Sequence, residues 1–168
     1  AFTLARPTSP PEPPVGALAV ESAPRREPVR LDHLLDLLRT VFRLTTCRPY
    51  QEQVCRTVTE GRDVLLVMPT GAGKSLCFQL PGIARAGTTL VVSPLIALMK
   101  DQIDALTKRG IGAARIDSTL GLEAYREVFD RLRSGELRLL FVAPERFSNE
   151  RFREAIAGQR ISLLAVDE

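Results

Sequence analysis

The sequence predicts an α/β fold, a parallel sheet with helices on both faces, and three observations predict it. Short apolar runs rich in Val, Leu and Ile alternate with helical stretches, the pattern of strands buried on both faces. One such run, Val64-Leu65-Leu66-Val67, leads into the glycine-rich turn Met68-Pro69-Thr70-Gly71-Ala72-Gly73-Lys74-Ser75. Another, Leu163-Leu164-Ala165-Val166, delivers the carboxylate pair Asp167-Glu168. In open sheets of this kind ligands bind outside the carboxyl ends of the strands, where the glycine turn falls.

Composition sets the frame. A chain of 168 residues, 45% hydrophobic and 26% charged, is long enough for one domain with its own core. A formal charge of +3 and a pI near 9.0 permit a nucleic-acid partner without arguing strongly for one. Cys47, Cys55 and Cys77 have no CxxC spacing and only His33 as an imidazole companion. They read as reduced cytosolic thiols, not a metal site. No apolar run approaches the roughly 20 residues needed to cross a bilayer, which argues against a membrane partner. The chain starts at Ala1 and stops at Glu168, so it reads as a piece truncated after the Asp-Glu strand.

Residues 1–30 hold seven of the twelve prolines, with Ser, Thr, Glu and Arg between them. A stretch with so little apolar surface is expected to be a disordered leader. The folded domain is expected over residues 31–168. Leu31, Leu34, Leu35, Leu38 and Phe42 share one helical face. A second helix starts at Pro49 and closes at Gly61, with Val54 and Val58 as its inner face. Strands are then expected at Asp63–Met68, Thr88–Ser93, Ala113–Ile116, Leu137–Ala143 and Ile161–Val166. The helices between them are Lys74–Ala84, Leu95–Arg109, Leu122–Arg133 and Asn149–Ala157, with Gly110 and Gly135 as C-terminal caps.

The glycine turn has the build of a phosphate-binding loop. Gly71 and Gly73 take positive φ readily and leave backbone N–H groups bare, so several donors converge on phosphate oxygens. Lys74 brings a point charge to the β- and γ-phosphates, and the Ser75 hydroxyl is a hard-oxygen ligand suited to Mg²⁺. The helix that opens here aims its positive end at the same anion. The general pattern has a glycine where this chain has Met68; Pro-Thr-Gly-x-Gly-Lys-Ser is the superfamily 2 helicase form. At the far end, Asp167 is placed to hold Mg²⁺ with Ser75, and Glu168 to orient and deprotonate an attacking water. Upstream, the Gln51 amide offers the donor–acceptor pair that reads an adenine edge, and Arg48 has the reach to cover the base or the phosphates. A helix start fixed by Pro49 accounts for the same residues, and spacing alone does not choose between the two.

With these residues in place the chain resembles the N-terminal motor domain of RecQ-type DNA helicases. The resemblance rests on Arg48-Pro49-Tyr50-Gln51, the block Val67 to Pro81, the block Val91 to Gln102, Ala143-Pro144-Glu145-Arg146-Phe147, and Leu164 to Glu168, in family order. The run Pro94-Leu95-Ile96-Ala97-Leu98-Met99-Lys100-Asp101-Gln102 is the most discriminating, because DEAD-box RNA helicases resemble Pro-Thr-Arg-Glu-Leu there. The resemblance implies a RecA-like P-loop NTPase domain using ATP and Mg²⁺, with adenine at Arg48 and Gln51 and phosphates at Thr70, Gly71, Ala72, Gly73, Lys74 and Ser75. It implies catalytic roles for Lys74, Asp167 and Glu168, and contacts to DNA at Ser93, Lys100, Pro144 and Arg146. It further implies single-stranded or partly duplex DNA as partner, a second RecA-like domain, and a cytoplasmic location, at the nucleoid in a bacterium. The chain departs from the family at Arg43-Leu44, where Gly-Tyr is usual, and at Cys47, where phenylalanine is usual. The rival readings are an RNA helicase or other superfamily 2 translocase, and a non-catalytic nucleotide- or nucleic-acid-binding module.

Overall fold

The computed structural model describes residues 29–69 and 71–167. The leader expected over residues 1–30 lies outside these save for its last two residues, and so do Thr70 and Glu168. Helix α1, Leu31–Thr40, buries Leu34 and Leu38 along the expected stripe, with Phe42 following into the core. Asp32 in its first turn and Arg39 in its last complement the helix dipole. Helix α2, Pro49–Thr59, starts at the expected proline. Its inner face runs Gln51, Cys55, Val58 and Thr59, while Val54 is only half-buried. The expected Val54–Val58 face is thus rotated by one position. Two polar residues are accommodated inside because both are hydrogen-bonded: Thr59 donates to the Cys55 carbonyl at 2.9 Å, and Gln51 to the glycine loop.

Helix α3, Leu76–Ala84, begins after Lys74 and Ser75, which form a turn and not the first helical residues. It is buried almost all round, as a helix wedged between a sheet and two other helices must be. The remaining elements are β1 (Thr88–Val92), α4 (Ile96–Lys108), β2 (Ala113–Ile116), α5 (Leu122–Arg133), β3 (Leu139–Val142), a 3-10 turn at Pro144–Ser148, α6 (Glu150–Ala157) and β4 (Ile161–Val166). Only the 3-10 turn lacks a counterpart in the sequence pattern. The strands form one parallel sheet in the order β2-β3-β1-β4.

Strand alternation divides the core in two. Val91, Leu139 and Phe141 point to the side covered by α1, α2, α3 and α4, where Leu38, Leu80, Met99 and Leu106 fill the layer. Leu90, Leu140, Val142 and Ile116 point to the opposite side, packed by α5 and α6 through Phe129, Leu132, Phe152 and Ile156. Both faces are therefore covered, as the continuous apolar runs require.

The run 63–68 departs from expectation. It does not join the sheet: Leu65 is 91% exposed and Val67 86%. Apolar composition gives a segment strand propensity, but a strand exists only with a ladder partner. Here β4 is the sheet's edge. A cavity of about 370 Å³, lined by Val64, Leu65 and Leu66 on one side and by Leu164, Ala165 and Val166 on the other, separates it from the segment.

Candidate nucleotide-binding site

The loop after residue 68 carries positive φ at Gly71 (79°) and Gly73 (88°), the backbone that lets successive N–H groups face one anion. Such a loop works only when its carbonyl oxygens point elsewhere, and α2 supplies what holds them. Gln51 Nε2 donates to the Gly73 carbonyl at 3.0 Å, and Arg48 Nη1 donates to the Ala72 carbonyl at 3.0 Å. The Tyr50 hydroxyl also donates to the Ala72 carbonyl. The other end of the Gln51 amide, Oε1, accepts the Arg48 backbone N–H at 2.9 Å, which closes the first turn of α2. The packing is close enough that a Cβ on Gly73 would lie 2.6 Å from Gln51 Nε2. Glycine is needed there for φ, and a side chain would also displace the Gln51 amide from its bond.

Ser75 sits at the N-cap of α3 in helical geometry and makes no side-chain cap bond, so its hydroxyl is not used up in closing the helix. Lys74 and Asp167 line the same cavity, beside the sheet's carboxyl edge. Asp167 is 8% exposed, and its backbone N–H donates to the Val92 carbonyl at 2.9 Å, extending the β1–β4 ladder by one bond. An ammonium and a carboxylate on one cavity, with the Ser75 hydroxyl next to Lys74 in the chain, are a donor set suited to Mg²⁺ and a polyphosphate. Of the expected phosphate and metal residues, Lys74 and Asp167 are thus brought to one cavity. Beneath the loop lie Cys55 and Cys77. Burial, and secondarily the neighbouring thiols, push both thiols up, Cys77 to about 11. They are free cysteines that stay protonated at neutral pH.

The residues expected to meet DNA do not share one environment. Lys100 and Pro144 are exposed, Lys100 on α4 and Pro144 at the start of the 3-10 turn. Ser93 is 3% exposed, and its Oγ accepts the Leu95 backbone N–H at 3.3 Å. Arg146 lies over Tyr125 and Phe152, with its guanidinium carbon 5.5 and 5.9 Å from the ring centroids. Three residues that sequence reasoning passed over belong to the site. Tyr50 braces the loop, and Gln79 and Gln102 form a polar pair whose second member reaches Asp167 at 3.4 Å. Gln79 had a sequence signal, an amide inside the otherwise apolar run Leu76-Cys77-Phe78-Gln79-Leu80.

A parallel sheet covered on both faces, with a glycine loop braced by its carbonyls and an acidic strand end beside it, defines a P-loop NTPase fold of the RecA-like kind. Residues 48–168 match the DEAD/DEAH box helicase family, and the chain belongs to that family. The ATP-dependent DNA helicase RecQ of Haemophilus influenzae is 43% identical over 134 residues, which cover 80% of this chain and 22% of that protein. The corresponding protein of Bacillus subtilis is 42% identical over 133 residues, covering 79% and 22%. The ATP-dependent DNA helicase Q-like 2 of Arabidopsis thaliana is 43% identical over 141 residues, covering 79% and 20%. The chain spans about a fifth of the length of these curated relatives. The RecQ resemblance carried by the motifs is matched by these proteins. No described helix is long and apolar enough to cross a membrane.

Proposed function

We propose that this chain is the nucleotide-binding part of an ATP-dependent, RecQ-like DNA helicase. The observation that carries the reading is that Lys74, directly after the braced glycine loop, and Asp167 line one cavity beside edge strand β4. Loop N–H groups from Thr70 to Ser75 and the Lys74 ammonium bind the phosphates; Arg48 and Gln51 brace the loop and reach adenine only by releasing one of those bonds. Ser75 Oγ and Asp167 hold Mg²⁺, which when bound neutralises charge on the phosphate oxygens. Glu168 takes the proton of the attacking water. Of the residues expected at DNA, exposed Lys100 and Pro144 meet single-stranded or partly duplex DNA through its backbone, with no base readout, while buried Ser93 and ring-packed Arg146 shape the surface behind them. In the complete enzyme a second RecA-like domain supplies the rest of the site, including an arginine whose relatives contribute roughly 10³–10⁵ in rate. Movement along the strand is 3′ to 5′ by analogy with the family. This chain alone then binds Mg·ATP weakly and turns it over negligibly.

Titration of fluorescent ADP and ATP analogues in Mg²⁺ tests the reading. Lys74→Ala is expected to weaken binding at least tenfold, and single-stranded DNA to compete better than RNA of the same sequence for the Lys100 face. Nucleotide binding that is indifferent to Lys74→Ala overturns the site. Preference for RNA moves the chain to the other superfamily 2 reading.

A further inference from the structure

The metal-side carboxylate has a support that none of the motif roles includes. Gln102, on α4, directs Nε2 at Asp167 Oδ2 (3.4 Å), and its Oε1 accepts Gln79 Nε2 from α3 at 2.9 Å. The order of donors is fixed by chemistry. A carboxylate only accepts, so Gln102 must turn its NH₂ to Asp167 and its carbonyl to Gln79, whose own NH₂ fills it. Gln79 and Asp167 are each 8% exposed, in a layer otherwise built from Leu80, Ile83, Met99 and Leu106. Two amides in so apolar a layer do not arise from packing needs, since Leu or Met would fill the same volume without asking for partners.

We propose that Gln102 is a positioning residue for Asp167, anchored in turn by Gln79, so that the carboxylate's direction depends on where α4 sits against α3. The chain of contacts joins three elements: the helix behind the glycine loop, the helix that carries exposed Lys100 two residues before Gln102, and the end of β4. An anionic strand that draws on Lys100 therefore pulls on the helix that holds the metal-side carboxylate. The inference rests on the reading of Asp167 as a Mg²⁺ ligand. It predicts an effect on metal dependence that a purely structural amide pair would lack.

The test uses the full 168-residue chain, a fluorescent ADP analogue, and two variants, Gln102→Met and Gln79→Met, which keep length and remove the amide. Affinity is measured in EDTA and across a Mg²⁺ series. The expected result is an unchanged affinity in EDTA and a Mg²⁺ requirement raised about 10-fold, the low end for outer-shell partners of metal ligands. Gln79→Met, which leaves Gln102 in place, is expected to give the smaller shift. Should Gln102→Met fail to fold, Gln79→Met carries the test alone. A wild-type chain whose nucleotide affinity responds to Mg²⁺, with foldable variants that respond identically, overturns the positioning role and leaves the site reading intact. A wild-type chain with no Mg²⁺ response overturns the site reading and the positioning role with it.

Discussion

Tyr50 and Gln51 grip the glycine loop by its carbonyls, so the amide that sequence offers as an adenine reader has both ends engaged within the protein. The consequence for binding is specific. A neutral hydrogen bond of this kind is worth about 0.5–1.5 kcal/mol net, or roughly 2- to 12-fold in affinity. Tyr50→Phe is therefore expected to weaken ADP and GDP binding alike, by about 2- to 5-fold, because the loop and not the base is disturbed. Gln51→Ala is expected to cost more, since it releases the Gly73 carbonyl and the Arg48 N–H together. Titrating both nucleotides against each variant decides the matter. If Gln51→Ala changes only the ADP:GDP ratio, the amide reads the base and the bracing is incidental. Gln51 was legible in the sequence as a motif residue, but its role was open, because its partner lies 22 positions downstream and no periodicity connects them. Tyr50 was legible only as part of the quoted motif, for the same reason.

At the scale of elements, the link between α1 and α2 contains an unusual backbone conformation. Arg43 takes φ of 58°, alone among described non-glycine residues in having positive φ. The left-handed region costs an L-residue roughly 1–2 kcal/mol, and glycine loses about 0.5–1 kcal/mol of that advantage to the freedom of its unfolded chain. Arg43→Gly is expected to raise stability by about 0.5–1 kcal/mol, or roughly 1–4 °C in thermal midpoint. Arg43→Ala keeps the Cβ and is expected to leave the midpoint nearly unchanged. An equal rise for both variants would place the effect in the lost guanidinium, not the backbone. Strand and helix limits were well marked where an apolar run met a glycine or a cap, as at Ala113–Ile116 and Asn149, whose Oδ1 accepts the Phe152 N–H at 3.0 Å. They failed at 63–68, because a strand needs a neighbour and local sequence carries no information about one. The inner face of α2 was misplaced by one position for a related reason. Apolar character points to Val54 and Val58 as the inner face, whereas polar Gln51 and Thr59 each find a partner inside.

For the molecule as a whole, parallel order and double coverage could be read from the continuous apolar runs, whereas the order β2-β3-β1-β4 could not, since crossover lengths are compatible with several orders. That order leaves β4 outermost, with Leu164 60% and Val166 77% exposed and a cavity between β4 and Val64, Leu65 and Leu66. A parallel sheet ordinarily hides such an edge, because an apolar rim with free ladder groups is a template for any other strand. The +3 charge is too small to hold copies apart by repulsion. In solution the chain should therefore be sticky. Sedimentation velocity is expected to show monomers in the dilute range and heavier species as concentration rises, little altered by salt. Leu164→Lys, a charge set on the rim, is expected to keep the protein monomeric over at least a tenfold wider range of concentration without moving its thermal midpoint by more than about 2 °C, roughly 0.5 kcal/mol for a chain this long. If that variant associates as readily as the parent, the rim is not what adheres. How the protein must be handled at the bench, its shelf life and its usable concentration, then follows from the outer rim of one strand.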